Sequence, residues 1–178
     1  MNKALLLIDI QNDYFEGGRN PLVNSKQAAE KAARVLTAFR SQNLPVFHIQ
    51  HISLYEGATF FLPDTKGCEI YKGVYPQQGE PVIIKHAPDS FFQTDLNEKL
   101  EELDIKQLYI CGMMSHMCID TSVRAAQRFG YSVRLIEDAC ATLDLNWNGE
   151  IIPAETVHKA FMASLKGVFA EIISEKNI

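Results

Sequence analysis

The chain has 178 residues and lacks any apolar stretch near the roughly 18 residues that cross a bilayer. Its opening, MNKALLLIDIQNDY, is apolar for only a few positions, meets acidic side chains at once and offers no small-residue cleavage site. It does not read as a secretory signal. A basic excess is missing too: 17 Lys and Arg face 22 Asp and Glu, a formal charge of -5, with no basic cluster. That balance argues against nucleic acid and against a membrane as partners. Cysteine is sparse. Cys68, Cys111, Cys118 and Cys140 form no CxxC pair and no regular framework, so they read as free thiols in a reducing compartment. These absences leave a cytoplasmic protein that handles small molecules. At 47% hydrophobic and 22% charged, the chain suits one domain over 1–178 with a full core.

What is present alternates. KALLLIDI (3–10) is apolar without a period of two, as a strand buried on both faces should be. In 25–42, Ala28, Ala32, Val35, Leu36 and Phe39 share one helical face, with Ser25 as a candidate N-cap. PVFHIQ (45–50), PVIIK (81–85), KQLYICG (106–112), YSVRLIED (131–138) and VFAEII (168–173) read as further strands. Helical patterns fall at 94–103, 119–130 and 153–167. Residues 51–80 have little period and read as a long functional loop. Strands alternating with helices give an α/β fold: a three-layer α/β/α domain with a six-stranded, mainly parallel sheet.

In open parallel sheets, ligands bind beyond the carboxyl ends of the strands. Asp9 ends the first strand and Lys85 the third, while GMMSHMC (112–118) leads from the fourth into a helix. Taken singly, each has an ordinary reading as a turn residue, a surface lysine or a buried thiol; an acid, a cation and a thiol on one sheet edge point to nucleophilic catalysis. With Ser115 as N-cap, Cys118 lies in the first helical turn. There the partial positive charge favours thiolate, and free N–H groups can bind a developing oxyanion.

The set LLLIDIQNDY, VIIKHAPDSFFQTDL and CGMMSHMCIDTSVRAAQRFGYSVRLIEDACAT resembles the isochorismatase-like cysteine hydrolases, whose members include nicotinamidases, carbamoylsarcosine amidohydrolases, ureidoacrylate hydrolases and streptothricin hydrolases. The resemblance runs through nearly the whole chain, in order. It implies strand order 3-2-1-4-5-6, a catalytic Asp9, Lys85 and Cys118, and a cis peptide between Met113 and Met114. It further implies that the backbone N–H groups of Met114 and Cys118 form the oxyanion site, and that Tyr14 and Phe92 line the substrate pocket. The chemistry it implies is cleavage of a carbon–nitrogen, amide-type bond through a thioester. An isochorismatase-type or other non-amide hydrolase on the same scaffold, or a thiol-based redox or binding protein, remains the alternative.

One departure bears on cofactors. Metal-dependent nicotinamidases carry Asp-x-His and a second His after the second strand; here FHIQHIS offers His48 and His51 with no aspartate at that spacing. The expectation is therefore no cofactor and no metal. The pocket is expected to draw on 51–80 and on 144–150, where Trp147 sits, and the apolar residues of 51–80 and of the C-terminal helix favour a homo-oligomer.

Overall fold

The computed structural model describes residues 2–178. Its strands are β1 (Lys3–Ile8), β2 (Val46–His51), β3 (Val82–Lys85), β4 (Gln107–Met113), β5 (Ser132–Ala141), β6 (Leu145–Trp147), β7 (Glu150–Ile152) and β8 (Glu171–Ile173). Six of them form one sheet in the order β3-β2-β1-β4-β5-β8, all neighbours parallel. Counted along that sheet alone, this is the expected 3-2-1-4-5-6. Helices α1 (Ser25–Ser41), α2 (Leu96–Glu102), α3 (Asp120–Arg128) and α4 (Ala154–Leu165) flank it.

The pattern of each strand follows its place in the sheet. Central β1 is buried from Ala4 to Ile8. Edge strand β3 alternates, with Val82 and Ile84 outward and Ile83 and Lys85 inward. Because side chains alternate along a strand, Lys85 shares the inward face of Ile83. One hydrophobic cluster joins the sheet to α1 through Ala28, Ala32, Val35, Leu36 and Phe39. Each fully buried Leu, Ile or Phe in it contributes about 1.5–3 kcal/mol.

Some boundaries differ from the expectation. The N-cap position of α1 is Asn24, in a left-handed conformation that asparagine tolerates, and Ser25 is the first helical residue. The segment around Trp147 is the antiparallel β6–β7 hairpin, not a loop. Residues 52–80 are irregular apart from short 3-10 turns at Lys66–Cys68 and Lys72–Val74. Among the described residues no helix is long and apolar enough to cross a membrane.

One close approach sets up the site. At the carboxyl ends of β1 and β4, Ile8 pairs with Gly112. Gly112 has φ 133°, and a Cβ there would run into the Ile8 carbonyl. Only glycine lets the backbones meet this closely, which draws the turn after β1 toward the turn after β4.

Candidate active site

Asp9, Lys85 and Cys118 arrive from three elements and meet. Asp9 follows β1 with φ 51° and is tied to β2 by its N–H, which donates to the Ile49 carbonyl at 3.0 Å. Lys85 Nζ lies 2.8 Å from Asp9 Oδ2 and donates to Cys118 Sγ at 3.3 Å. It also donates to the Ala87 carbonyl and to His51 Nδ1, each at 3.0 Å. Strand β2 lies between β1 and β3, and neighbouring strands stand about 4.8 Å apart. The long lysine stem spans that gap.

The electrostatics are those of a buried ion pair. Burial works against the Lys85 ammonium, but its pairing with Asp9, and then with Cys118, outweighs it and raises its pKa. Asp9 is fully buried, and neither of its oxygens has a hydrogen bond of good geometry; Lys85 pairs with it, and Cys118 Sγ and a His51 ring nitrogen lie within 4.8 Å of one of its oxygens.

Cys118 departs from the expectation. It stands in a π-helical turn, Ser115–Ile119, that precedes α3. Ser115 is not a cap: its Oγ bonds His158 Nδ1 at 2.8 Å and the Ala141 carbonyl at 3.4 Å. Nor is the thiol acidified. Burial, and then the Asp9 charge, raise its pKa far above the ordinary value, against a smaller opposing pull from Lys85. The resting group is a thiol. The Met113–Met114 peptide is cis. The Met114 carbonyl accepts from Met117 and Ile119 N–H at 3.0 and 3.2 Å, bypassing the N–H of Cys118.

The two β2 histidines part company. An odd spacing on a strand sends side chains to opposite faces. His48 Nε2 pairs with Glu80 Oε2 at 2.9 Å, away from the site. His51 joins it: a ring nitrogen of His51, an oxygen of Asp9 and Cys118 Sγ lie within 4.8 Å of one another. These three could in principle hold a metal, but the Lys85 ammonium already contacts each of them. A second cation would be set against it. The residues do not fit a metal ion.

A family model, the Isochorismatase domain, matches residues 3–177. The chain belongs to the isochorismatase family. It is 54% identical over 172 residues to the isochorismatase family protein YddQ of Bacillus subtilis, covering 97% of this chain and 96% of that one. The crystal structure of an isochorismatase from Pseudomonas putida KT2440 superposes with TM-score 0.93 at 35% identity, covering 99% of this chain and 90% of that one. A streptothricin hydrolase of Streptomyces noursei is 30% identical over 145 residues, 80% of this chain and 51% of the relative.

Around the family's hydrolase scaffold, the remaining expected residues are placed unevenly. Tyr14 is buried, with its ring centroid 4.6 Å from that of Phe61 and 5.8 Å from that of Phe60. Burial and then the charges of Cys118 and Asp9 raise its pKa, so its phenol belongs to this site and stays neutral. Phe92 is 54% exposed and Trp147 68% exposed. Two residues escaped the sequence reading. Asp13 Oδ2 accepts the Phe61 N–H at 2.6 Å and Oδ1 the Arg19 N–H at 3.1 Å, tying the 52–80 segment to the turn after β1. Gln11 accepts the His51 N–H at 2.8 Å and donates to the His51 and Cys68 carbonyls at 2.8 and 2.7 Å. Their signal was the polar spacing Asp9, Gln11, Asp13 just past a buried strand.

Proposed function

We propose that this isochorismatase-family hydrolase cleaves an amide-type carbon–nitrogen bond of a small molecule, with Cys118 as nucleophile. Asp9 removes the Cys118 proton as sulfur attacks the carbonyl carbon. The N–H groups of Met114 and Cys118 take the oxyanion. As the tetrahedral species collapses, the carbon–nitrogen bond breaks and Asp9 returns the proton to the leaving amine. Water, deprotonated by Asp9, then attacks the thioester; the acid leaves and the thiol is restored. Lys85 steadies both anions throughout. Tyr14 and Phe92 flank the substrate, no metal takes part, and the protein acts in the cytoplasm as a homo-oligomer.

The observation that carries this reading is the single ammonium, Lys85, 2.8 Å from Asp9 and 3.3 Å from Cys118 Sγ. It holds a general base beside a thiol that burial keeps protonated, the condition under which a thiol needs a base. A redox sensor needs no such partner and favours a low-pKa thiol. The streptothricin hydrolase relative points the same way.

The test is intact mass after incubation with a panel of small amides. The expected result is an acyl adduct on Cys118, with turnover lost by at least about a thousandfold in Cys118→Ala and in Asp9→Asn, and no further loss in the double variant. Retained hydrolysis in Cys118→Ala would overturn the mechanism. Cleavage of an enol ether with no amide turned over would move the protein to the non-amide branch.

A further inference from the structure

We infer that His51 is a substrate-binding residue whose Nε2–H selects molecules carrying a second hydrogen-bond acceptor beside the atom that Cys118 attacks. The inference rests on Cys118 being the group a substrate meets.

The tautomer follows from the neighbours. An ammonium only donates. Lys85 Nζ lies 3.0 Å from His51 Nδ1, so Nδ1 must be the bare nitrogen and accept. The proton of a neutral imidazole is then on Nε2. The ring is neutral: burial and then the Lys85 charge bring its pKa down to about 4, against a smaller opposing pull from Asp9. Among the described residues Nε2 makes no hydrogen bond, and it is not one of the enclosed, unsatisfied side-chain atoms. The Ala87 carbonyl near the ring is already held by Lys85 at 3.0 Å. An unspent donor thus stands on a ring beside Cys118, with one of the ring nitrogens within 4.8 Å of Cys118 Sγ.

The position of His51 is also built. Gln11, fully buried, clamps this residue: it accepts the His51 N–H and donates to the His51 carbonyl, both at 2.8 Å, and its second amide proton goes to the Cys68 carbonyl at 2.7 Å. A side chain clamping both backbone groups of one residue fixes where its ring emerges. With the sulfur bonded to the attacked carbon, an acceptor on the next atom comes within reach of an imidazole this close to Sγ. Suitable substrates are amides with an oxygen or ring nitrogen next to the scissile carbonyl.

The experiment uses alkylating probes, which need no amide cleavage. Iodoacetamide places a carbonyl on the atom next to the carbon attacked; iodoethane has no acceptor. The rate of each at the Cys118 peptide is followed by mass spectrometry in the wild type, His51→Leu and His51→Gln, with Cys118→Ala as the control for site. Any general change in thiol reactivity cancels in the ratio of the two rates. Glutamine can accept from Lys85 and donate onward, so His51→Gln is expected to keep the ratio. His51→Leu should lower it about three- to tenfold, the worth of one neutral hydrogen bond. A ratio unchanged within about twofold in His51→Leu, where the lost bond should register a larger fall, would overturn the inference, as would an equal fall in both variants. Should His51→Leu fail to fold, long-range 15N–1H correlation on the wild type decides: a proton on Nδ1 overturns the inference and one on Nε2 supports it. Absence of any acyl-enzyme in the amide panel would count against the amide reading and leave this ratio standing.

Discussion

Strand β2 carries two histidines three residues apart, and they belong to opposite kinds of polar cluster. On one face, His48 joins Glu80, whose carboxylate accepts Arg40 Nε and Nη2 at 2.7 Å each, the Gln77 N–H at 2.8 Å and His48 Nε2 at 2.9 Å. Burial pushes that carboxyl up, and the Arg40, Gln77 and His48 bonds outweigh it, holding its pKa at about 2. On the other face, His51 joins Asp9, Lys85 and Cys118, where both Asp9 oxygens lack a hydrogen bond among the described residues. In the first cluster the Glu80 carboxylate is fully engaged and pins the 75–81 segment to α1 and β2, although His48 Nδ1 is buried without a hydrogen bond among the described residues. The second keeps acceptor capacity in reserve. A buried acceptor without a hydrogen bond costs about 1–3 kcal/mol.

The contrast breaks most sharply at Lys85. In Lys85→Met the Asp9 charge stays buried without its partner, which is expected to cost about 3–5 kcal/mol. At roughly 2–4 °C per kcal/mol, calorimetry should record a melting point lower by about 6–20 °C. Adding Asp9→Asn should recover most of that stability and none of the activity. A melting point within about 2 °C of wild type in the single variant would mean that the pair is not coupled.

Glu80→Gln tests the Glu80 cluster. It keeps the shape and removes the charge, and is expected to cost about 1–3 kcal/mol while the chemical step per folded molecule stays unchanged. Activity falling more than stability would show that the two faces of β2 communicate.

Acid titration sharpens the same point. Glu80 has a folded pKa of about 2 against an ordinary 4.5, so its contribution is fully present above 4.5 and is lost as pH falls toward 2. His48 is lowered below 6.5 by burial, with Glu80 opposing, so the unfolded chain takes the proton first and stability declines as pH falls below that value. Denaturant midpoints measured across pH 7 to 2 should slope downward toward acid, and Glu80→Gln should flatten the segment below 4.5. An unchanged slope there would remove Glu80 from the account. The smallest effect is expected at Phe92, more than half exposed: Phe92→Ala should change stability by less than about 0.5 kcal/mol, and any kinetic effect should appear in KM alone.

Strand patterns made the sheet legible because buried and edge strands leave different apolar signatures, as β1 and β3 do. Asp9, Lys85 and Cys118 were legible because strand ends in a parallel sheet converge. Two things were not. The π turn at Ser115–Ile119 leaves no mark in a pattern of apolar spacing, so Ser115 reads as a cap when its hydroxyl in fact bonds His158. The thiol's pKa depends on burial beneath residues distant in the chain, and a helix-end argument from local sequence gives the wrong sign. The partition of His48 from His51 could have been foreseen, since an odd spacing on a strand always divides a pair.

Gln11 has a kinetic consequence. At the last residue of β2 a side-chain amide protects the His51 backbone proton, with Gln11 Oε1 as its acceptor. Exchange of that proton with deuterated solvent therefore requires only a rotamer change at one glutamine, not the parting of two strands. Its exchange rate would be a clock for loosening at the edge of the sheet that carries Asp9, Lys85 and Cys118, ticking faster than the neighbouring ladder protons.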